Sequence, residues 1–225
     1  MKKNIFYTML LALGVLILSS CDKDTEGLSS ITTYAVMELN GDKLMKTNVG
    51  STFNDPGCTA TMGGEDVSDL IQVSSNVDTS KPGFYTVNYI VYNEDGFPAS
   101  ASRDVMVVDP NNFASAYLSE CEFGSRHYYD LPVTITKRAD GNYVIDDLAG
   151  GFYCFGRYPG YEPTYDFHLE AVLQLNDDNS ISVLQQGKWY WGDPMEDIQG
   201  SYDPATGTVK LVMDFGGAFL VTLTK

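Results

Sequence analysis

Phe167-His168-Leu169-Glu170-Ala171-Val172-Leu173-Gln174-Leu175 is the stretch that decides the fold class. Phe167, Leu169, Ala171, Leu173 and Leu175 alternate with His168, Glu170, Val172 and Gln174. A period of two places the first set on one face of an extended chain and the second on the other, which predicts a half-buried β-strand. The same pattern continues on both sides. Downstream, Asp177-Asp178-Asn179-Ser180 is a turn followed by Ile181 and Val183. Asp203-Pro204-Ala205-Thr206-Gly207 turns the chain into Val209, Leu211, Met213 and Phe215, and Gly216-Gly217 permits a last strand from Ala218 to Thr224. Upstream, Leu131 to Thr136 reads as a strand, Ala139-Asp140-Gly141-Asn142 as a turn and Tyr143-Val144-Ile145 as the next strand. About eight consecutive strands with tight turns predict an up-and-down antiparallel meander over residues 110–225, curled into a small barrel.

Residues 31–109 are also all-β in pattern. Tyr34 to Leu39 leads into an Asn40-Gly41-Asp42 turn. Tyr85, Val87, Tyr89 and Val91 line one face of a strand, Asn93-Glu94-Asp95-Gly96 turns, and Ala99 to Val108 returns as the second strand of a hairpin. No stretch holds a 3.6-residue apolar period for long, so this part is expected to be a small β-sandwich. Asp109-Pro110-Asn111-Asn112 marks the boundary, because Pro cannot continue a central ladder and Asn favours turns.

Three landmarks in this first part carry a family resemblance: the turn Asp55-Pro56-Gly57, the strand Pro82-Gly83-Phe84-Tyr85-Thr86-Val87-Asn88-Tyr89, and the closing strand Arg103-Asp104-Val105-Met106-Val107-Val108-Asp109. Together they resemble the bacterial immunoglobulin-like domain of surface lipoproteins and glycan-related proteins. That resemblance implies a spacer with no catalytic residues. The whole layout resembles two-domain Bacteroides lipoproteins of unknown function, in which an Ig-like module precedes a β-rich, calycin-like one.

The start of the chain gives an address. Lys2 and Lys3 precede an apolar run from Ile5 to Leu18, the layout of a secretory signal peptide over residues 1–20. The run is too short for a membrane-spanning helix. Leu18-Ser19-Ser20-Cys21 resembles the lipobox of bacterial lipoproteins, which implies cleavage before Cys21 and its acylation. Residues 21–30 are polar and small, as expected of a flexible lipidated tether. Asp22, Asp24 and Glu26 resemble the acidic signal for outer-surface display in Bacteroides-type lipoproteins. In enterobacterial lipoproteins an aspartate after the cysteine instead marks retention at the inner membrane. The expected site is the outer membrane, lipid-anchored and exposed at the cell surface.

The 225-residue chain has a formal net charge of −16. Such a surface repels phosphate backbones, so nucleic acid is excluded as a partner. With Cys21 assigned to lipid, Cys58, Cys121 and Cys154 remain. Cys121 and Cys154 are the candidate disulfide in an oxidising envelope, and three reduced core cysteines are the competing reading.

Little in the chain points to catalysis. There is no nucleophile elbow, zinc-protease motif, phosphate loop or dinucleotide fingerprint, so neither metal nor cofactor is expected. His127 and His168 are the two histidines. His168 alternates onto the polar face beside Glu170, but no third ligand accompanies them. The acidic turn Asp177-Asp178-Asn179 lacks the distant bidentate Glu of a calcium loop. Glu162, Asp166, Glu170, Asp193 and Glu196 lie in the aromatic-rich part, where a glycosidase would need two carboxylates at a set separation.

Aromatic residues are the strongest signal. Residues 152–167 hold Phe152, Tyr153, Phe155, Tyr158, Tyr161, Tyr165 and Phe167 among Gly and Pro. Trp189-Tyr190-Trp191-Gly192-Asp193-Pro194 follows later. If that triplet is extended, Trp189 and Trp191 share one face, where they serve either as barrel core or as a ligand platform. Tyr158 and Tyr161 sit in a Pro/Gly-rich loop, which is expected to be exposed. Sugar rings stack on such side chains, and Arg157 and Asp193 are placed to pair with sugar hydroxyls. The expected function is non-catalytic binding of an oligosaccharide through Arg157, Tyr158, Tyr161, Trp189, Trp191 and Asp193, as accessory to a Sus-like uptake system. The competing readings are a structural lipoprotein that docks a partner outer-membrane transporter or lipoprotein, and a glycan-acting enzyme.

Overall fold

The computed structural model describes residues 32–161 and 164–225. The expected signal peptide over residues 1–20, Cys21, the expected tether over residues 21–30 and Glu162 lie outside the described residues.

The first seven strands are β1 (Ala35–Leu39), β2 (Leu44–Asn48), β3 (Cys58–Met62), β4 (Glu65–Asp66), β5 (Gln72–Ser75), β6 (Gly83–Tyr92) and β7 (Pro98–Val108). They form two sheets, ordered β1-β3-β4 and β2-β7-β6-β5. The β6–β7 hairpin has the register expected from its alternation, with Tyr89 opposite Ala101 and Val87 opposite Arg103. The Asn40-Gly41-Asp42 turn does not close a hairpin. It carries the chain from one sheet to the other, since β1 pairs with β3 and β2 runs parallel to β7. Val87, Tyr89, Val105 and Val107 form the buried centre, packed by Met37, Leu39, Phe53, Cys58 and Ile71.

Arg103 lies in this sandwich with no exposed surface. Its Nε donates to Asp55 Oδ1 at 2.9 Å. Its terminal nitrogens donate to the carbonyls of Asp42, of Asn40 at 2.8 Å and of Gly57 at 3.0 Å. The Tyr89 hydroxyl donates to Asp55 Oδ2 at 2.5 Å. The three landmarks quoted above therefore meet at one point, where a planar five-donor fork ties two loops to a central strand.

The remaining strands are β8 (Ser115–Phe123), β9 (Arg126–Lys137), β10 (Tyr143–Ile145), β11 (Ala171–Leu175), β12 (Ser180–Gln186), β13 (Glu196–Asp203), β14 (Thr208–Asp214) and β15 (Ala218–Thr224). Each pairs antiparallel with the next, and β15 pairs back onto β8 to close the barrel. Closure leaves no free sheet edge. The deciding stretch keeps its alternation throughout, with Phe167, Leu169, Ala171 and Leu173 buried, but the ladder starts only at Ala171. Before that point loops take its backbone groups instead: Leu148 N donates to Leu169 O and Gly187 N to Glu170 O.

In an up-and-down barrel alternate connections share an end. The turns at 138–142, 176–179 and 204–207 lie at one end, where Phe113 plugs the core edge-on to Tyr143 and Tyr202. The two-residue hairpin 124–125 and the connections 146–170, 187–195 and 215–217 lie at the other. The long connections are thus all at one end, opposite the point where the chain arrives from the sandwich. The nine residues of β8 separate the two ends, a distance of about 25–30 Å at strand rise. At the junction itself, Met106 and Val108 of β7 pack on Ala116 with Phe84 and Leu118.

No disulfide joins Cys121 to Cys154, against the first of the two readings of these residues. Both are buried in the barrel core as small apolar groups. The Cys121 thiol points at Gly150 O, 3.7 Å away, and burial pushes its pKa up to about 12.

Gly150 is where the long connection passes closest to the barrel wall. A Cβ there would lie 2.6 Å from Ser119 Oγ and 2.8 Å from Val221 Cγ1, at a φ of +66°. Gly150→Ala is therefore expected to cost about 2–3 kcal/mol from overpacking and left-handed strain together. Urea unfolding followed by tryptophan fluorescence checks this, and an unchanged midpoint would show that the wall yields freely.

Candidate functional site

The connection 146–170 is built on Asp147, which is buried within it. Its Oδ1 accepts from Ala149 N (2.9 Å) and Leu169 N (3.2 Å), and its Oδ2 accepts from Gly151 N (3.0 Å). One carboxyl thus binds both ends of the loop. Burial pushes its pKa up to about 6, while those amides and the nearby His168 pull the other way. From this anchor the chain enters a six-residue π-helical turn, Phe152–Arg157. Gly156 N donates to Gly151 O and Tyr158 N to Tyr153 O, both five residues back. The wider turn buries Phe152, Tyr153 and Cys154 in the barrel mouth and leaves Phe155 and Arg157 outside.

A continuous group of rings covers this plug. Tyr153 lies 4.4 Å from Trp191 and 6.4 Å from Tyr158 between centroids. Trp191 stacks on Phe167 at 5.2 Å, and Phe167 meets Tyr165 at 6.1 Å and Tyr190 at 5.0 Å. Tyr158 meets Tyr161 at 6.0 Å. The sequence-predicted aromatics are therefore brought together, with one division. Trp189-Tyr190-Trp191 is a turn closed by Gly192 N to Trp189 O (3.1 Å), so the two indoles do not share a strand face. Trp189 is 3% exposed and its Nε1 donates to Phe167 O at 2.8 Å, which places it in the core. Trp191 is 37% exposed, and Tyr161 and Tyr190 are each 53% exposed.

Arg157 and Asp193 are also divided. Arg157 lines a cleft of about 260 Å³ together with Arg126, Tyr153, Tyr158, Trp191 and Phe215. Asp193 lines a neighbouring cleft of about 360 Å³ with Glu196 and Asp214, and Phe215 stands between the two. Arg126, Tyr153, Phe123 and Phe215 escaped the sequence-based list of site residues. Strand parity was the signal for Phe123, Arg126 and Phe215, since it places the turns at 124–125 and 215–217 at the end that carries the aromatic loop, in which Tyr153 itself lies.

The histidines are engaged elsewhere. His168 Nδ1 lies 2.8 Å from Asp166 Oδ1, so its partner is Asp166 and not Glu170. His127 sits between Glu120 (2.8 Å) and the Tyr129 hydroxyl (2.8 Å) on the surface. No group of three or more His, Cys, Asp or Glu poised to hold a metal occurs among the described residues. No helix among them is long and apolar enough to cross a membrane.

Residues 37–107 match the bacterial surface protein Ig-like domain, and residues 107–225 match a family of C-terminal domains. The crystal structure of the lipoprotein BT2262 from Bacteroides thetaiotaomicron matches at 31% identity and a TM-score of 0.59, over 85% of this chain and 100% of that one. The chain belongs to the BT2262 family. The two family segments of this BT2262-family chain abut at residue 107, near the end of β7. Two Clostridium perfringens ZmpB structures also match at 16% identity. One holds CBM51-2 in complex with GlcNAc and INT domains, with a TM-score of 0.29 over 80% of this chain and 29% of that one. The other holds the M60 catalytic domain with CBM51-1 and CBM51-2, with a TM-score of 0.30 over 82% and 14%. Similarity at that level carries no structural argument. No curated protein matches the chain.

Proposed function

We propose that this protein is a lipoprotein anchored through Cys21 at the surface of the outer membrane, and that its barrel binds oligosaccharide without chemical turnover. Anchoring is supported by the lipobox at residues 18–21 and by membership of the BT2262 lipoprotein family. The observation that carries the binding reading is the exposed ring group Tyr161, Tyr165, Tyr190 and Trp191 at the barrel end farthest from the sandwich. Flat rings offer the apolar C–H faces of a pyranose a large contact at low entropic cost. Carboxylates beside them, Asp193 and Asp214, accept from sugar hydroxyls. The sandwich then acts as a spacer that holds this end away from the lipid. In a Sus-like uptake system such a module retains glycan beside a transporter.

Affinity electrophoresis against a glycan panel tests the reading. Retardation by at least one glycan is expected, with about a tenfold or greater loss of affinity in Trp191→Ala, the more so if this ring is a central anchor. Trp189 is unsuitable for this test because it belongs to the core. If no glycan retards the folded protein, the binding reading fails, and docking of a partner envelope protein becomes the role of these rings.

A further inference from the structure

The cleft beside the plug has a property that stacking of neutral sugars does not call for. Arg126 and Arg157 both line it, on a chain whose net charge is −16. Both are exposed, and among the described residues neither forms an ion pair. At the opposite end of the barrel, Arg138 pairs with Asp140 at 3.2 Å, and Lys225 Nζ donates to Asn112 O at 2.6 Å. Arg126 and Arg157 are also fixed at their roots. Arg126 follows the tight Gly124-Ser125 hairpin, opposite Phe123 in the ladder. Arg157 is the last residue of the π-helical turn, with its guanidinium 5.3 Å from the centre of the Tyr158 ring.

We infer that this cleft takes the acidic group of a charged saccharide, a carboxylate or a sulfate, between the guanidinium groups of Arg126 and Arg157, while its ring lies against Trp191. The inference rests on the glycan-binding reading and narrows it to acidic glycans. Guanidinium groups bind carboxylate and sulfate through paired, charge-assisted hydrogen bonds, which an apolar surround strengthens. Tyr153 forms the floor of the cleft, and both guanidinium groups are close enough to oppose the rise that burial imposes on its phenol. Across Phe215, the cleft lined by Asp193, Glu196 and Asp214 repels anions and accepts hydroxyls. An acidic sugar is thereby oriented, its charge toward the arginines and its hydroxyls toward the carboxylates.

The test is affinity electrophoresis of the intact protein and of Arg126→Gln, Arg157→Gln and Trp191→Ala. The probes are polygalacturonate and alginate as carboxylated glycans, chondroitin sulfate as a sulfated one, and laminarin and dextran as neutral ones. The expected result is retardation by an acidic glycan that weakens with added salt, falls about tenfold or more in each arginine variant and is also lost in Trp191→Ala. The carboxylated and sulfated arms show which acid is read. Circular dichroism of the variants confirms folding, since both arginines are exposed. Retardation by neutral glycans alone, or acidic binding unchanged in both arginine variants, overturns the inference and leaves the glycan-binding reading in place. No retardation by any probe overturns both.

Discussion

Arg103→Met should lower the stability of the N-terminal sandwich by about 3–5 kcal/mol, the cost of losing four hydrogen bonds from a buried guanidinium to partly exposed partners. The methionine fills most of the space but satisfies none of the four acceptors. The carbonyls of Asn40 and Asp42 lose their side-chain donor, while Asp55 keeps only Tyr89 and Gly57 N, and Gly57 O keeps only Asn40 N. Arg103→Lys should recover only part of this, because a single ammonium cannot span a fork of partners on two loops. Both tryptophans of the chain, Trp189 and Trp191, are in the barrel. Tryptophan fluorescence therefore follows the barrel, and far-ultraviolet circular dichroism follows both modules. The expected result is an early transition in circular dichroism, with a barrel transition near its native position. For a module of this size the melting shift is about 15–25 °C. A shift of a few degrees would mean that water replaces the guanidinium without penalty.

The second large effect is expected at Asp147. Asp147→Ala strands three buried amides, those of Ala149, Gly151 and Leu169, each worth about 1–3 kcal/mol when left unmet. The loss should depend on pH in a definite direction. Burial raises this carboxyl from its ordinary value near 3.8 to about 6 in the folded protein. A group that holds its proton more tightly when folded adds stability as pH falls through 6, and the gain is complete only below the unfolded value near 3.8. The alanine variant lacks that gain. Its deficit therefore grows as pH falls from 6 toward 3.8, to about 3–5 kcal/mol, and narrows toward neutral pH, where the native protein carries a desolvated carboxylate. Urea unfolding at pH 5 and pH 7.5 measures the difference. A deficit that instead grew with pH would show that the three amides hold the carboxyl ionised. Because the loop leads directly into Phe152–Arg157, the variant should also loosen Tyr153 against Trp191, which shifts tryptophan emission to the red before global unfolding.

Neither residue can be recognised from its neighbours in sequence, although the strands around them can. Period-two alternation is a local property, so Phe167 to Leu175 and Tyr85 to Val91 reveal their buried faces without any knowledge of partners. Turn chemistry is equally local: Asp177-Asp178-Asn179 and Asp203 to Gly207 reverse the chain where their composition says they should. An all-β chain in two parts, a small sandwich and a meander, follows from these signals, and the landmark resemblance is what makes the first part Ig-like. Strand parity was latent in the same reading and brings Phe123, Arg126 and Phe215 to the aromatic end.

Contacts between distant segments required the tertiary structure. Asp55 and Arg103 are 48 residues apart, and Asp55 and Tyr89 are 34 apart. Three family landmarks become one hydrogen-bonded staple only when the sheets close over them. The pairing of β15 with β8 turns a meander into a barrel, and its mouth requires a plug. Filling that mouth decided the fate of each aromatic residue. Trp189 enters the core because its indole N–H finds the Phe167 carbonyl there, while the next turn of chain leaves Trp191 and Tyr190 half in solvent. Local sequence determined which segments are strands and that an aromatic-rich loop joins them. The packing of that loop into a closed barrel decided which rings are structural and which, beside Arg126 and Arg157, stay exposed at the barrel end.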